Sequence, residues 1–227
     1  MGFYQRHVLP RLTDLAMRTS EIARYRERIV PLARGRVLEI GAGSGLNLPY
    51  YGPQVEQLFA LDKSPELLRM TRARVQRIAF DVRFLLEDAR GVPLPDRSVD
   101  TVLTTFTLCS IVEATQALRE ARRVLEPGGL LLFAEHGLAP DANVQTWQRR
   151  LSPAWSKLAG GCRLDRRIDA LIATAGFSVT ALAAGYAQGA RPFSYMYVGQ
   201  ARATACDRVD SNQVSASDPF APPNAAR

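Results

Sequence analysis

Three closely spaced glycines are the residues of this chain best suited to hold a ligand against the backbone. Gly41, Gly43 and Gly45 directly follow the short apolar segment Arg36–Ile40, which predicts a buried strand. Glycines at such a place allow a tight turn and a close approach of the backbone to a ligand. Seventeen residues after Gly45, Asp62 ends a second apolar segment, and a carboxylate there can accept hydrogen bonds from both hydroxyls of a ribose. The pattern predicts an adenosine site at the carboxyl ends of a doubly wound sheet.

The spacing of these glycines distinguishes between adenosine cofactors. Dinucleotide-binding loops read GxGxxG, whereas here Leu46 stands where the third glycine would be and the loop reads GxGxG. A pyrophosphate also needs a clean helix N-terminus, but Pro49 interrupts the segment that follows, and Glu39 adds negative charge just before the loop. S-adenosylmethionine, with a ribose and a cationic amino-acid tail, suits these residues better. A nicotinamide-dependent oxidoreductase remains the alternative.

Strand and helix patterns alternate along the chain and position this loop. Five apolar segments read as strands: RVLEI, QLFALD, DVRFLLEDA, SVDTVLTTF and LLLFAE. A helix capped by Ser64 follows the second, and a helix with 3.6-residue apolar spacing from Ala114 to Leu125 precedes the fifth. After an insertion and a helix near 168–175, two last strands, about 177–184 and 193–201, predict a hairpin at the sheet edge. The predicted fold is α/β and Rossmann-like: a seven-stranded, mostly parallel sheet with helices on both faces and an antiparallel edge strand.

Length and composition predict one folded domain with two flanking segments. The 227 residues are 47% hydrophobic, enough for a substantial core. Residues 1–35 form a predicted helical cap, with a helical region from about Tyr4 to Leu32 and Ser20 capping its second segment. Residues 36–202 form the predicted α/β domain that contains the glycine loop. Residues 203–227, polar and rich in Pro, Ala and Ser, predict a disordered tail.

Charge and cysteine content exclude several function classes. The net charge is +7, but the arginines are scattered and no aromatic-plus-glycine RNA-binding signature is present, so we expect no nucleic-acid partner. A basic RNA-binding module that senses the cofactor remains a minor alternative. The three cysteines have no metal-site spacing, and we expect no metal. Neither a signal peptide nor a spanning apolar run is present, which predicts a cytoplasmic protein without a transmembrane segment.

Longer motifs resemble a known family. VLEIGAGSG, ALD, LLEDA, LPDRSVDTVLTTFTLCSI and REARRVLEPGGLLLFAEH resemble successive motifs of class I S-adenosylmethionine-dependent methyltransferases with a methyltransferase type 11 domain. LCSI, FAEH and the stretch WQRRLSPAWSKLAGGCRLDR are most similar to the methyltransferase-like 7 thiol methyltransferases and their soluble bacterial relatives. The resemblance covers about residues 36–199. The thiol methyltransferases of this family begin with an apolar membrane anchor that this chain lacks, which leaves a transient membrane contact as an option.

The resemblance implies a set of cofactor contacts. The glycine loop would wrap the methionine portion, and Asp62 would bind the ribose hydroxyls. Asp88 and the Ala89 N–H would bind the adenine. Lys63 would lie beside the adenine, and Thr105 and Leu108 would contact the methionine tail and wall the site. The implied cofactor residues are Glu39, Gly41, Ala42, Gly43, Gly45, Asp62, Lys63, Asp88, Ala89, Thr105 and Leu108.

Methyl transfer from a sulfonium is an in-line displacement that mainly requires positioning, with a base for a thiol or phenol acceptor. His136 is the candidate base, and the neighbouring Glu135 either orients it or is a strand-end carboxylate. Four residues are candidate substrate contacts, each with a packing or lid role as the alternative: Tyr4, Cys109, Trp147 and Trp155. The predicted acceptor is a small, fairly apolar molecule, with a thiol as first candidate. A quinone-like ring or a phospholipid head group remains open, and no oligomeric state is predicted.

Overall fold

A single seven-stranded sheet organises the chain in the computed structural model, which describes residues 8–204 except for the side chain of Arg77. The strand order is β3-β2-β1-β4-β5-β7-β6. The strands are β1 Gly35–Ile40, β2 Val55–Leu61, β3 Asp81–Leu85, β4 Val99–Thr105, β5 Leu125–His136, β6 Phe177–Tyr186 and β7 Tyr195–Ala203.

The first five strands pair in parallel, and the reversal falls at one edge. β1 pairs with both β2 and β4, which places the turn after β1 at the centre of the sheet. β7 is antiparallel to β5 on one side and to β6 on the other. The predicted mostly parallel sheet with an antiparallel edge is therefore confirmed, with β7 as the reversed strand and β6 as the outermost one. Since strand order reverses between β1 and β4, this central point is where ligands bind in open α/β sheets.

The α-helices precede β1 and follow β2, β4 and β5 along the chain. Within residues 8–204 they are α1 Leu9–Ala16, α2 Ser20–Ile29, α3 Pro65–Arg74, α4 Ala114–Val124, α5 Ala142–Leu158 and α6 Ile168–Thr174. The Ser64 cap is confirmed, because its hydroxyl accepts a hydrogen bond from the Leu67 N–H at 3.3 Å. The Ser20 cap is wrong by one residue: Thr19 has the extended backbone of an N-cap and accepts from the Ile22 N–H.

The two faces of the sheet carry separate apolar clusters. Leu38, Ile40 and Phe133 pack on one face, which α4 covers with Ala117 and Leu118. The other cluster lies under α2 and contains Val37, Leu58, Leu103 and Leu132. Alternate residues of β1 and β5 point to opposite faces, so each strand is buried on both sides. This double burial explains the continuous apolar runs from which the strands were predicted.

The predicted division into a cap, a domain and a tail stays a prediction. Helices α1 and α2 fall within the predicted cap, whereas most of the predicted tail lies outside the described residues. On α1 the apolar Leu12 and Leu15 are exposed, and the buried positions are Pro10 and Asp14. Within residues 8–204, every helix is too short or too polar to cross a bilayer.

Candidate active site

The glycine loop after β1 is fixed by the next strand and by its own backbone conformation. The N–H groups of Gly41 and Ala42 both donate to the Leu61 carbonyl, at 2.8 and 3.0 Å. Gly41, Gly43 and Gly45 all have positive φ, at 74°, 58° and 80°. A Cβ on Gly41 would lie 2.3 Å from Thr107 Oγ1, whereas a Cβ on Gly43 would meet only the Gly41 carbonyl at 3.8 Å. Gly43 therefore presents bare backbone to open space, as a ligand cradle requires.

Asp62 closes this loop from the end of β2. Its Oδ2 accepts from the Gly43 N–H at 2.9 Å, and its Oδ1 accepts from the Ser64 N–H at 2.8 Å. The residue is only 9% exposed, and burial raises the pKa of its carboxyl although both backbone bonds lower it. Because a carboxylate offers about four acceptor positions, roughly two remain after these bonds. Asp62 can thus order the loop and still accept hydroxyl donors.

Glu39 holds the far end of the loop from inside the protein. It is buried, and its carboxyl accepts from Asn47 Nδ2 at 2.7 Å and from the Tyr51 hydroxyl at 2.8 Å. Asn47 Nδ2 also donates to Thr105 Oγ1, while its Oδ1 accepts from Arg26 Nε at 3.0 Å. Burial raises the pKa of Glu39 to about 7, against the lowering by the Tyr51 and Asn47 bonds. This network joins β1, the loop, the end of β4 and α2.

Sequence reasoning missed Asn47, and it also missed Asp14 on α1. Asp14 Oδ1 accepts from the Ser44 hydroxyl, and Arg74 on α3 donates to the same oxygen at 3.0 Å. Burial raises the pKa of Asp14, but the bonds from Ser44, Arg18 and Arg74 outweigh it and leave that pKa below its ordinary value. An aspartate among apolar positions of a short helix was the available signal, since such a residue needs a buried partner.

The residues predicted to face the adenine lie after β2 and β3. Lys63 is exposed beside Asp62, and Ala89 is buried. The carboxylate of Asp88 is bound by Arg90, whose Nε donates to Oδ1 at 2.9 Å. That arginine lowers the pKa of Asp88. Asp88 lies after the carboxyl end of β3, and its role toward an adenine stays a prediction.

Glu135 organises the turn after β4. Its two carboxylate oxygens accept from the Thr107 N–H at 2.9 and 3.1 Å, and one of them accepts from the Cys109 N–H at 3.4 Å. The side chain is fully buried, which raises its pKa to about 7 although these backbone bonds lower it. Leu108, within this turn, is also fully buried. These contacts make Glu135 a support of this turn, and its role beside His136 stays a prediction.

His136 lies at the last position of β5 and is only 7% exposed. Neighbouring strand residues point to opposite faces, so it projects away from Glu135. Its Nδ1 lies 3.6 Å from the Sγ of Cys162, which sequence reasoning did not place in the site. Its Nε2 is buried and has no hydrogen-bond partner among residues 8–204. The Cys162 thiol also interacts with the thiol of Cys109, so both cysteines belong to the surroundings of His136.

The remaining candidate substrate contacts are divided by the structure. Trp155 has a buried indole nitrogen without a hydrogen-bond partner among residues 8–204, its ring centroid lies 4.7 Å from that of Phe193, and it favours the charged form of Cys162. Trp147 is 54% exposed on the outer face of α5, where the Arg150 guanidinium lies over its ring. Tyr4 lies outside the described residues. Trp155 is therefore the tryptophan near the candidate base.

The loop geometry accommodates S-adenosylmethionine better than a dinucleotide. Gly43 leaves open space for a ligand beside the backbone, and Asp62 has acceptor positions left for ribose hydroxyls. The loop leads into a 3-10 turn at Leu48–Tyr50, and that turn offers a pyrophosphate no α-helix N-terminus. The buried Glu39 and Asp62 favour a cationic group over a phosphate nearby. In the described part of the chain, no cluster of three His, Cys, Asp or Glu side chains is arranged for a metal ion.

Comparison with known proteins agrees with this site. Residues 38–133 match the model of a methyltransferase domain. The chain is 35% identical over 147 residues to the thiol S-methyltransferase TMT1B of Rattus norvegicus, covering 63% of this chain and 59% of that protein. It is also 35% identical over 122 residues to a phosphatidylethanolamine N-methyltransferase of Cereibacter sphaeroides, covering 52% and 60%. The chain thus spans less than two thirds of the length of either relative.

A solved structure supports the fold. The S-adenosylmethionine-dependent methyltransferase from Aquifex aeolicus superimposes with a TM-score of 0.59 at 19% identity, over 85% of this chain and 97% of that one. The oxidoreductase alternative loses its support, because the matched domain is a methyltransferase domain. This chain carries a class I S-adenosylmethionine-dependent methyltransferase domain and is a homologue of the thiol S-methyltransferases.

Proposed function

We propose that this protein methylates the thiol of a small, fairly apolar acceptor and that His136 is the general base. The observation that carries the proposal is the buried Nε2 of His136, which lies at the cofactor edge of the sheet and has no hydrogen-bond partner among residues 8–204. Leaving a buried nitrogen without a partner costs about 1–3 kcal/mol, so we expect the S–H group of the substrate to meet it. The similarity to a thiol S-methyltransferase supports sulfur as the acceptor atom.

The position of His136 suits this role. Ile40 pairs with Thr104, and Thr105 pairs with Ala134, so the ends of β1, β4 and β5 are level. With neighbouring strands about 4.8 Å apart, β1 and β5 are separated by roughly 10 Å at this edge. A small acceptor can span that gap between the glycine loop and the imidazole.

S-adenosylmethionine, when bound, supplies a methyl group on a cationic sulfur that departs as a neutral thioether. The chain supplies the remaining requirements. His136 Nε2 takes the proton of the acceptor thiol and leaves a thiolate, the stronger nucleophile. The loop that Glu39 and Asp62 hold in place orients the cofactor, and the buried Leu108 and Cys109 of the turn after β4 keep water from the site. Orientation of this kind supplies on the order of 7–11 kcal/mol.

The residue roles inferred from the resemblance belong to this proposal. Asp62 would hold the ribose, and Asp88 and Ala89 would hold the adenine. Thr105 and Leu108 would contact the methionine end. Trp155 and Cys109 would border the acceptor. A cytoplasmic location is also part of the proposal, and the neighbouring, unbridged thiols of Cys109 and Cys162 support a reducing compartment.

The test is methyl transfer from labelled S-adenosylmethionine to three acceptors with one carbon skeleton: an arylalkyl thiol, the matching alcohol and the matching amine. We expect label on the thiol only. His136→Asn should lower kcat by about 100-fold or more while cofactor affinity stays within twofold. Transfer to none of the three acceptors would overturn the proposal, and so would an unchanged kcat in His136→Asn.

The phosphatidylethanolamine N-methyltransferase similarity favours a second candidate, the amine of a phospholipid head group. Phosphatidylethanolamine vesicles in the same assay distinguish it. Label in the lipid and none in the thiol would replace the first candidate by the second. A quinone-like ring is the third acceptor to include, since carbon methylation was left open by the sequence.

A further inference from the structure

A cysteine outside the cofactor loop contacts the candidate base. Cys162 lies between α5 and α6, with its Sγ 3.6 Å from Nδ1 of His136. Its loop is held against the turn after β4, because the Arg163 N–H donates to the Cys109 carbonyl at 2.9 Å. Gly161 has φ +99°, and a Cβ there would lie 2.9 Å from the Ser110 carbonyl. The loop cannot shift easily, so the sulfur is fixed at the ring.

The contact distinguishes the two ring nitrogens. In a neutral imidazole one nitrogen carries the proton and the other a lone pair, and the partner of one decides the state of the other. A thiolate can only accept, so a thiolate at Cys162 requires the proton on Nδ1. The lone pair is then on Nε2, the nitrogen without a partner among the described residues.

The surroundings of Cys162 favour the thiolate. The contact with His136 Nδ1 and the neighbouring Cys109 thiol both favour a negative charge on the Cys162 sulfur. These interactions, that of Cys109 first, lower the pKa of Cys162, although burial raises it. Correspondingly, the interaction with Cys162 and burial raise the pKa of Cys109.

Two further charged groups face this pair. The Arg166 guanidinium, more than half-buried, interacts with both sulfurs and favours a negative charge there. The Glu135 carboxyl interacts with Cys109 and raises its pKa, which directs the proton to Cys109 and the charge to Cys162. Arg163 and Asp165 form an ion pair with each other, 3.2 Å apart, at the rim.

We propose that Cys162 is a positioning residue for methyl transfer: its sulfur accepts the Nδ1 hydrogen of His136 and keeps Nε2 free to receive the proton of the acceptor thiol. The inference rests on the proposed function for the role of Nε2. The tautomer itself does not depend on any activity. No covalent step at Cys162 is involved.

The decisive measurement is the tautomer of His136 by long-range proton–nitrogen NMR of the ¹⁵N-labelled protein. The chain has two histidines, so a His7→Gln variant assigns the signals. We expect the Nδ1–H form in the wild-type protein at pH 7.5. In Cys162→Ala the signal should move toward the Nε2–H form, and Cys162→Ser, which still offers an acceptor, should retain part of the Nδ1–H form.

Kinetics supply the second readout. Cys162→Ala should lower kcat for the thiol by about 10- to 100-fold, with KM and S-adenosylhomocysteine affinity within about threefold. Cys162→Ser should recover part of the loss. Ser156→Ala is the matched control, because Ser156 precedes the same loop and its hydroxyl bonds only within α5, to the Pro153 carbonyl.

Three results would overturn the inference: an Nε2–H tautomer in the wild-type protein, an imidazolium at pH 7.5, or an unchanged spectrum in Cys162→Ala. A wild-type protein with the Nδ1–H tautomer but no transfer to thiols would overturn the proposed function and leave the positioning contact standing. The two failures are therefore distinguishable.

Discussion

Asp62 is where the cofactor assignment can be tested most directly. In Asp62→Asn the side chain keeps its size, but one of its two acceptor oxygens becomes an NH₂ donor. Because Oδ1 and Oδ2 each receive a backbone N–H, from Ser64 and Gly43, the new NH₂ must face one of these donors. The substitution therefore loosens the glycine loop and also removes an acceptor for a ribose hydroxyl.

The expected loss of affinity follows from these two effects. An unsatisfied buried N–H costs about 1–3 kcal/mol, and a hydrogen bond to a charged group contributes about 1.5–3 kcal/mol. Even the lower ends sum to about 2.5 kcal/mol, or roughly 70-fold in Kd. We expect S-adenosylhomocysteine to bind Asp62→Asn about 100-fold more weakly than it binds the wild-type protein.

Titration calorimetry with S-adenosylhomocysteine gives the two Kd values, and a thermal unfolding scan shows that the variant is folded. Asp81→Asn is the matched control, since Asp81 is an exposed carboxylate at the start of β3, and its Kd should stay at the wild-type value. A folded Asp62→Asn protein whose Kd lies within threefold of wild type would refute the assignment of this carboxylate to the ribose.

Three more predictions concern the supports of the loop. Burial raises the pKa of Glu39 to about 7 from 4.5, so between these values the folded state holds a proton that the unfolded chain has released. The free energy of unfolding should fall by up to about 3 kcal/mol as pH rises across that window. Thermal scans at several pH values should show this slope reduced in Glu39→Gln and unchanged in the exposed control Glu56→Gln. Gly41→Ala should lower Tm by several degrees, because Gly41 has a φ of 74° and an added Cβ would collide with Thr107. Gly91→Ala should leave Tm unchanged, because an added Cβ there would meet nothing within 4 Å. Equal Tm values for the two variants would contradict backbone strain at Gly41. Asp14→Asn should expose α1 to limited proteolysis, and an unchanged cleavage rate would show that its bonds do not hold the helix.

The sheet and the glycine loop were predictable because their signals are local. An apolar run, a glycine directly after it and an aspartate at the end of the next strand lie within about thirty residues. Each also has one physical meaning: burial on both faces, positive φ, and a carboxylate at the sheet edge. The reversal at β7 followed from two strands in succession without a helix between them.

The second layer of the site was not predictable in the same way. Cys162 contacts His136 across 26 residues that include all of α5, and no sequence motif around either residue predicts the contact. Asp14 reaches Ser44 across 30 residues. For Glu135 the sequence left two roles open, because the face to which a strand-end carboxylate points depends on the strand's register.

The carboxylate of Asp14 has a thermodynamic consequence for α1. It bonds simultaneously to the glycine loop and to α3, so α1 and the loop are ordered together. Linkage then requires reciprocity: if docking of α1 tightens cofactor binding by some factor, the cofactor must stabilise the docked helix by the same factor. Amide hydrogen exchange in α1 should therefore slow when S-adenosylhomocysteine is added, although α1 supplies none of the proposed cofactor contacts.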